Sequence, residues 1–284
     1  MARKLTGSHY RVSMKSLLSA TLLCPVFAVG LFTGTAAPAE RSAPPAPPAL
    51  LSAQRPSAPQ AAKSFAGMPQ FGELVWQNPD GSPGARLCSA VAVDSAGGDL
   101  IATAAHCVGG VKMRIGGAMT VAYIPGAGGS AAPYGVWYPT RIIRAQQWMN
   151  GVRNPDFDLA FLTVSKPGEP LPLAAVTGSE HFGAVPADGA LGVQIGYPDS
   201  GSQPVACRTP VRFQSPTQLR LSCAGFPSGT SGGPVLTHVD PVDGTGTLVG
   251  VLGGYQTGGT RPDVSYAAAF TPAIRQLYQQ AAQY

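Results

Sequence analysis

An all-β fold of closed barrels or packed sheets is what this chain predicts, on three observations. Charged residues make up only 12% of the 284 positions, while glycine numbers 36 and proline 28. That balance suits a turn-rich β protein better than a helical one. From about residue 70, short β-rich runs alternate with turn signals, and only one segment carries a convincing helical pattern.

The chain opens as an export signal. Arg3, Lys4, Arg11 and Lys15 precede an apolar stretch near 17–32, and small residues follow. Ala37-Pro-Ala39 fits a cleavage site, with Gly34-Thr-Ala36 as the alternative. An uncleaved membrane anchor is the competing reading, because the stretch borders on spanning length. Pro25, Gly30 and the small residues beyond favour cleavage, so 1–39 is read as a signal peptide. Residues 40–67 are dominated by Ala, Pro, Ser and Gln. They read as a linker or propeptide that cannot bury enough apolar surface to order itself. The folded domain is expected at 68–284.

The formal charge of +5 is misleading. The signal carries four cations and residues 40–69 a net +2, which leaves −1 over residues 70–284. Nucleic-acid binding is therefore not expected, and neither is membrane attachment after cleavage. Cys24 leaves with the signal. Cys88, Cys107, Cys207 and Cys223 remain, an even number that implies two disulfides in an exported chain. Three pairings are open at this point.

Twelve strands are predicted: 72–77, 88–94, 100–104, 111–115, 119–124, 135–144 and 158–164, then 191–196, 205–214, 218–223, 234–239 and 247–255. Asp94-Ser-Ala-Gly-Gly98 reads as a hairpin turn. The helix begins at Thr271, a candidate cap, with Pro272 in its first turn. Ile274, Leu277, Tyr278 and Ala281 form its apolar face.

Two motifs carry chemistry. Thr103-Ala-Ala-His106-Cys107 places a histidine at the end of an apolar strand, and Gly229-Thr-Ser231-Gly-Gly-Pro234 places a serine in a glycine-rich turn. A serine hydroxyl needs a base, a group that orients the base, and donors for the oxyanion it generates. His106 is the candidate base. Asp158, an acid opening the apolar run Asp158-Leu-Ala-Phe-Leu, is the candidate orienter, since a carboxylate entering a buried strand requires a partner. Asp156 is its competitor, otherwise a solvated turn residue. Ser231 is the candidate nucleophile. His181 and His238 have no motif around them and read as surface or satisfied polar residues.

Over roughly residues 70–284, these motifs and their His–Asp–Ser order resemble the chymotrypsin-fold (trypsin-like) serine proteases, in particular the secreted bacterial branch that includes the V8-type glutamyl endopeptidases. The resemblance implies two six-stranded antiparallel β-barrels, at about 68–165 and 190–284, joined by 166–189. It places the C-terminal helix on the second barrel and the catalytic cleft between the barrels. It pairs Cys88 with Cys107, and Cys207 with Cys223 follows. It assigns the oxyanion hole to the N–H groups of Gly229 and Ser231, and substrate-strand pairing to Leu252, Gly253 and Gly254. Thr230 stands where most trypsin-like enzymes have an aspartate that receives a new N-terminal ammonium, so that activation switch is not expected. Gly225 stands where trypsin carries its pocket carboxylate, followed by Phe226, Pro227 and Ser228. Leu252 stands where glutamyl specificity uses a histidine. An uncharged P1 residue is the expectation.

A monomer acting on protein or peptide substrates outside the cell, without cofactor or metal, is expected. A structural calcium stays open. Two alternatives remain. One is a non-catalytic secreted binding module on the same fold. The other is a serine esterase, since Gly229-Thr-Ser-Gly-Gly233 also fits a nucleophile elbow. That fold needs Ser, Asp, His in order, and only His238 follows Ser231.

Overall fold

A computed structural model describes residues 60–112, 119–129 and 132–284. The predicted signal, most of the predicted linker and positions 113–115 of one predicted strand lie outside the described residues.

Two two-residue strands open the described chain, β1 (Gln60–Ala61) and β2 (Lys63–Ser64). The first barrel follows with β3 (Phe71–Gln77), β4 (Pro83–Ala92), β5 (Leu100–Thr103), β6 (Val121–Pro125), β7 (Tyr138–Arg144) and β8 (Ala160–Ser165). These pair in the order β6-β3-β4-β5-β8-β7. The ring closes where Tyr123 and Trp137 exchange two backbone hydrogen bonds of 2.8 Å. The predicted turn at 94–98 joins β4 to β5, with Gly98 at φ +69°, a conformation glycine adopts without strain.

The side-chain period of two explains why these strands read as nearly continuous apolar runs. Cys88, Ala90 and Ala92 of β4 cluster with Ala160, Leu162 and Val164 of β8. Their neighbours Val91, Val93, Leu159 and Phe161 point the other way, into a cluster that also takes Val193, Ile195 and Leu236 of the second barrel. Both faces are covered, so neither needs polar residues. Each large aliphatic or aromatic side chain buried this way contributes about 1.5–3 kcal/mol.

Within the first barrel, α1 (Gln146–Met149) lies between β7 and β8, and the connection between barrels carries α2 (Leu173–Thr177) and β9 (His181–Phe182). The second barrel is β10 (Ala190–Gly196), β11 (Val205–Ser215), β12 (Gln218–Ala224), β13 (Pro234–Thr237), β14 (Thr247–Val251) and β15 (Val264–Ala268). Their order is β14-β13-β10-β11-β12-β15, closed by a bridge between Leu252 and Ala267. The three short strands are additions: β1 on β12, β2 on β11 and β9 on β14.

The sequence divides its twelve strands seven and five; the described barrels have six and six. The missed strand is β15, whose run of alanines has weak β propensity. It pairs where a bulky side chain would not fit, since a Cβ at Gly250 would already lie 3.2 Å from that of Ala267. Val111 and Lys112 lie in no strand. The helix α3 (Pro272–Ala281) has Pro272 in its first turn, but Thr271 makes no side-chain cap. Its placement corrects the expectation. Ile274, Leu277 and Ala281 are buried in the cluster containing Phe161 and Ile143 of the first barrel. Tyr278 stacks on Phe182 at 3.9 Å and its hydroxyl donates to the Asp94 carbonyl. The last helix of the chain therefore crosses back onto β7 and β8.

Candidate active site

His106 sits in the 3-10 turn Ala105–Val108 that ends β5. The Cys88–Cys107 disulfide, with Cα atoms 6.1 Å apart, ties this turn to β4. The second disulfide is Cys207–Cys223, so both pairings agree with those the resemblance implies. Asp158 ends the 3-10 turn Pro155–Phe157, immediately before β8. Because β5 and β8 are antiparallel neighbours with Thr103 opposite Ala160, the two turns meet at one end of the barrel.

Asp158 is fully buried, at 0% exposure. Its Oδ1 accepts from the His106 amide at 2.8 Å. Its Oδ2 accepts from His106 Nδ1 at 2.7 Å and from the Gly254 amide at 2.8 Å. Three donors offset the desolvation of this carboxylate. Holding the Nδ1 proton there leaves Nε2 as an acceptor. Asp156 is elsewhere: it accepts from Thr217 Oγ1 at 2.8 Å and Gln218 Nε2 at 2.9 Å, linking the barrels. It is thus not simply solvated. His181 is paired with Asp94 at 2.6 Å and exposed, and His238 is exposed.

The serine loop shows how its geometry is enforced. Every carbonyl from 227 to 231 is occupied. Pro227 accepts from the Thr230 amide and hydroxyl, Ser228 from the Asp199 amide at 2.9 Å, and Gly229 from Ser89 Oγ at 2.9 Å. Thr230 accepts from the Gly233 amide, and Ser231 from the Ser89 amide at 2.7 Å. The amides of Gly229 and Ser231 have no acceptor among the described residues. A peptide's C=O and N–H point to opposite sides, so pinning Ser228 O turns the Gly229 N–H the other way. Gly229 has φ +90°, and a Cβ there would overlap the Asp199 amide; only glycine fits. Thr230 is buried, and its hydroxyl is satisfied within its own turn by Pro227 O at 2.6 Å.

The loop is held from the first barrel as well. Ser89 lies on β4 and also accepts from the Tyr197 amide through its hydroxyl, at 2.8 Å. Arg86, on the same strand, donates to the carbonyls of Pro198 and Gly201, flanking Asp199, and pairs with Glu73. Burial raises the Glu73 carboxyl, opposed by the Arg86 hydrogen bond. Gly232 packs with no room for a Cβ beside Thr103 and Ala104, the residues leading to His106.

Beside Ser231 opens a cavity of about 360 Å³. Phe226, Ser228 and Leu252 line it, and the opposite wall comes from 257–262. That wall includes Arg261, which spacing from Ser231 could not locate. Arg261 is exposed and holds Asp263 through two hydrogen bonds of 3.1 and 3.0 Å. Gly225, Gly253 and Gly254 do not line the cavity. Gly225 faces outward against Ala62. The Gly253 amide donates to the Tyr266 carbonyl, while its own carbonyl has no donor among the described residues. Gly254 serves Asp158, a role no local motif signals.

Among the described residues, one His/Cys/Asp/Glu group is tight enough to hold a metal, namely Cys88, His106 and Cys107. Both sulfurs are consumed by the disulfide. No helix of the described residues is long and apolar enough to cross a membrane.

Residues 88–251 match the family model of the trypsin-like peptidase domain. Among solved structures the chain is similar to protease Anisep from Arthrobacter nicotinovorans, with TM-score 0.64 and 23% identity over 79% of this chain and 100% of that one. It is similar to the thermostable serine protease AL20 from an extremophilic microorganism, with TM-score 0.61 and 22% identity over 76% and 97%. It is also similar to a Glu endopeptidase, with TM-score 0.60 and 15% identity over 79% and 98%. At these identities the likeness shows the fold. No curated protein was found to match the chain.

Proposed function

The chain belongs to the trypsin-like peptidase family, and on that footing we propose a secreted serine endopeptidase working through His106, Asp158 and Ser231. The observation that carries this reading is the donor pattern around the serine: five successive carbonyls are tied back while the amides of Gly229 and Ser231 stay open. Such a pair of fixed donors is what a developing oxyanion requires, and it needs no reorganisation when charge appears.

His106 Nε2 takes the Ser231 proton as Oγ attacks the scissile carbonyl. The Gly229 and Ser231 amides receive the oxyanion. Asp158 stabilises the imidazolium and keeps its ring in place. The imidazolium then protonates the leaving amine, and a water repeats the sequence on the acyl-enzyme. In this reading the Gly253 carbonyl, which has no donor among the described residues, accepts the P1 N–H and adds the substrate as a strand.

The cavity is the P1 pocket in this reading. Its apolar wall is Phe226, Pro227 and Leu252, and its one cation, Arg261, is already neutralised by Asp263. An uncharged P1 residue is therefore favoured, because a buried Arg or Glu would lack a partner. The signal reading of 1–39 and the two disulfides support an extracellular site of action. The Ser231→Ala protein should fold, fail to react with a fluorophosphonate, and lose about 10³–10⁶ in turnover. Peptide hydrolysis persisting in that purified variant would end the assignment.

A further inference from the structure

Residues 40–67 carry the composition of a linker, yet Gln60–Ser64 pair with strands of the second barrel and Phe65 enters the shared core. We propose that Gln60–Ser64 is a retained positioning element, a strand-like belt that braces the P1 pocket and the oxyanion peptide from outside. The inference rests on reading the cavity beside Ser231 as the P1 pocket.

The belt touches two places. At the first, Gln60 and Ala61 pair in parallel with Cys223 and Ala224 at the end of β12, and the Ala62 amide donates to the Ala224 carbonyl at 2.7 Å. Ala224 is two residues before Phe226, the first pocket-lining residue. Between them Gly225, at φ +98°, lies so close that a Cβ on it would be 3.1 Å from that of Ala62. The Gly225 amide in turn donates to Pro262 O at 3.2 Å, and Pro262 lines the opposite wall. The belt thus backs the point where both pocket walls are joined.

At the second place, Lys63 and Ser64 pair antiparallel with Ala206 and Val205, and the Phe65 amide donates to Pro204 O at 3.1 Å. This fixes the exit of the 197–204 loop, whose Asp199 amide holds Ser228 O and so aims the Gly229 N–H. Phe65 and Met68 are buried in the shared core, which anchors the belt at its downstream end. Composition hides all this. Small residues such as Ala61 and Ala62 suit a disordered linker, and also a strand lying flat against another backbone.

The test uses the full chain, secreted and processed naturally, with Ala62→Pro and Ala62→Gly. Proline deletes the amide that Ala224 O requires, whereas glycine keeps it. Ala62→Pro should lower kcat/KM by about tenfold, carried mainly by KM and unequal across P1 residues, as expected when a pocket wall moves but the triad stays. Ala62→Gly should behave as the parent, and N-terminal sequencing should place the mature start upstream of Gln60. Unchanged kinetics in Ala62→Pro, a uniform loss across P1 residues, or a mature start beyond Ser64 would each overturn the inference. If the parent chain hydrolyses no peptide at all, the endopeptidase reading itself has failed.

Discussion

Glu180 offers a quantitative test of how the two barrels are joined. It is fully buried in the connection between them. Its backbone bonds to Ala92 and Asp94 at the end of the first barrel. Its Oε2 accepts from the Gly246 amide of the second barrel at 2.5 Å, and its Oε1 has no partner among the described residues. Asp94, itself paired with His181, and Asp243 add repulsion. Burial first, and those acids second, push its pKa from 4.5 to about 8, against the Gly246 hydrogen bond. The folded state therefore prefers the protonated carboxyl. Its contribution is complete below about pH 4.5 and is lost as pH rises through about 8. A gap of roughly 3.5 pH units at about 1.36 kcal/mol each makes the loss about 3–5 kcal/mol. Glu180→Gln keeps an acceptor for Gly246 but puts an unpaired amide at Oε1, costing about 1–2 kcal/mol. The variant should be less stable at pH 4.5, more stable by about 2 kcal/mol at pH 9, and cross the parent near pH 6. Urea unfolding at several pH values, with Ser231→Ala in both chains to prevent autolysis, measures this directly. Parallel stability–pH curves would refute the reasoning.

Asp158→Asn offers one oxygen to three donors and reverses the His106 tautomer, so kcat should fall about 10⁴-fold with little change in KM; steady-state kinetics decide. Arg86→Met strands a buried carboxylate and two carbonyls and should cost about 3–5 kcal/mol in urea unfolding. Adding Glu73→Gln should recover part of that loss, and strict additivity would show that the two are not coupled. Asp263→Asn releases Arg261 at the pocket, so cleavage after acidic P1 residues should rise about two- to fivefold, modestly because solvent screens the exposed pair. A P1 library unchanged by the substitution would remove Arg261 from the specificity argument.

The chain's local rules were legible without coordinates. Turn chemistry at 94–98, the apolar runs of β3–β5 and β10–β13, and the helix starting at Pro272 all follow from windows of a few residues. The two motifs also sit where the sequence reading expects them, His106 on the turn ending β5 and Ser231 in a loop that only glycines can close. Alternation alone cannot say which cluster a strand face joins, because both faces of β4 and β8 are apolar. Nor could composition separate the belt from a linker, or give β15 a strand signal through its alanines.

Tertiary structure decided which distant group meets which. Gly254 completes the Asp158 shell from 96 residues away, Ser89 pins the serine loop from 140 away, and α3 returns to the first barrel through Asp94, 184 residues before Tyr278. A residue's identity fixes what hydrogen bonds it can make and which backbone angles it tolerates. Which partner satisfies it is set by barrel closure, because closing each ring brings strand ends remote in sequence to one rim, and at that rim buried donors and acceptors must find one another.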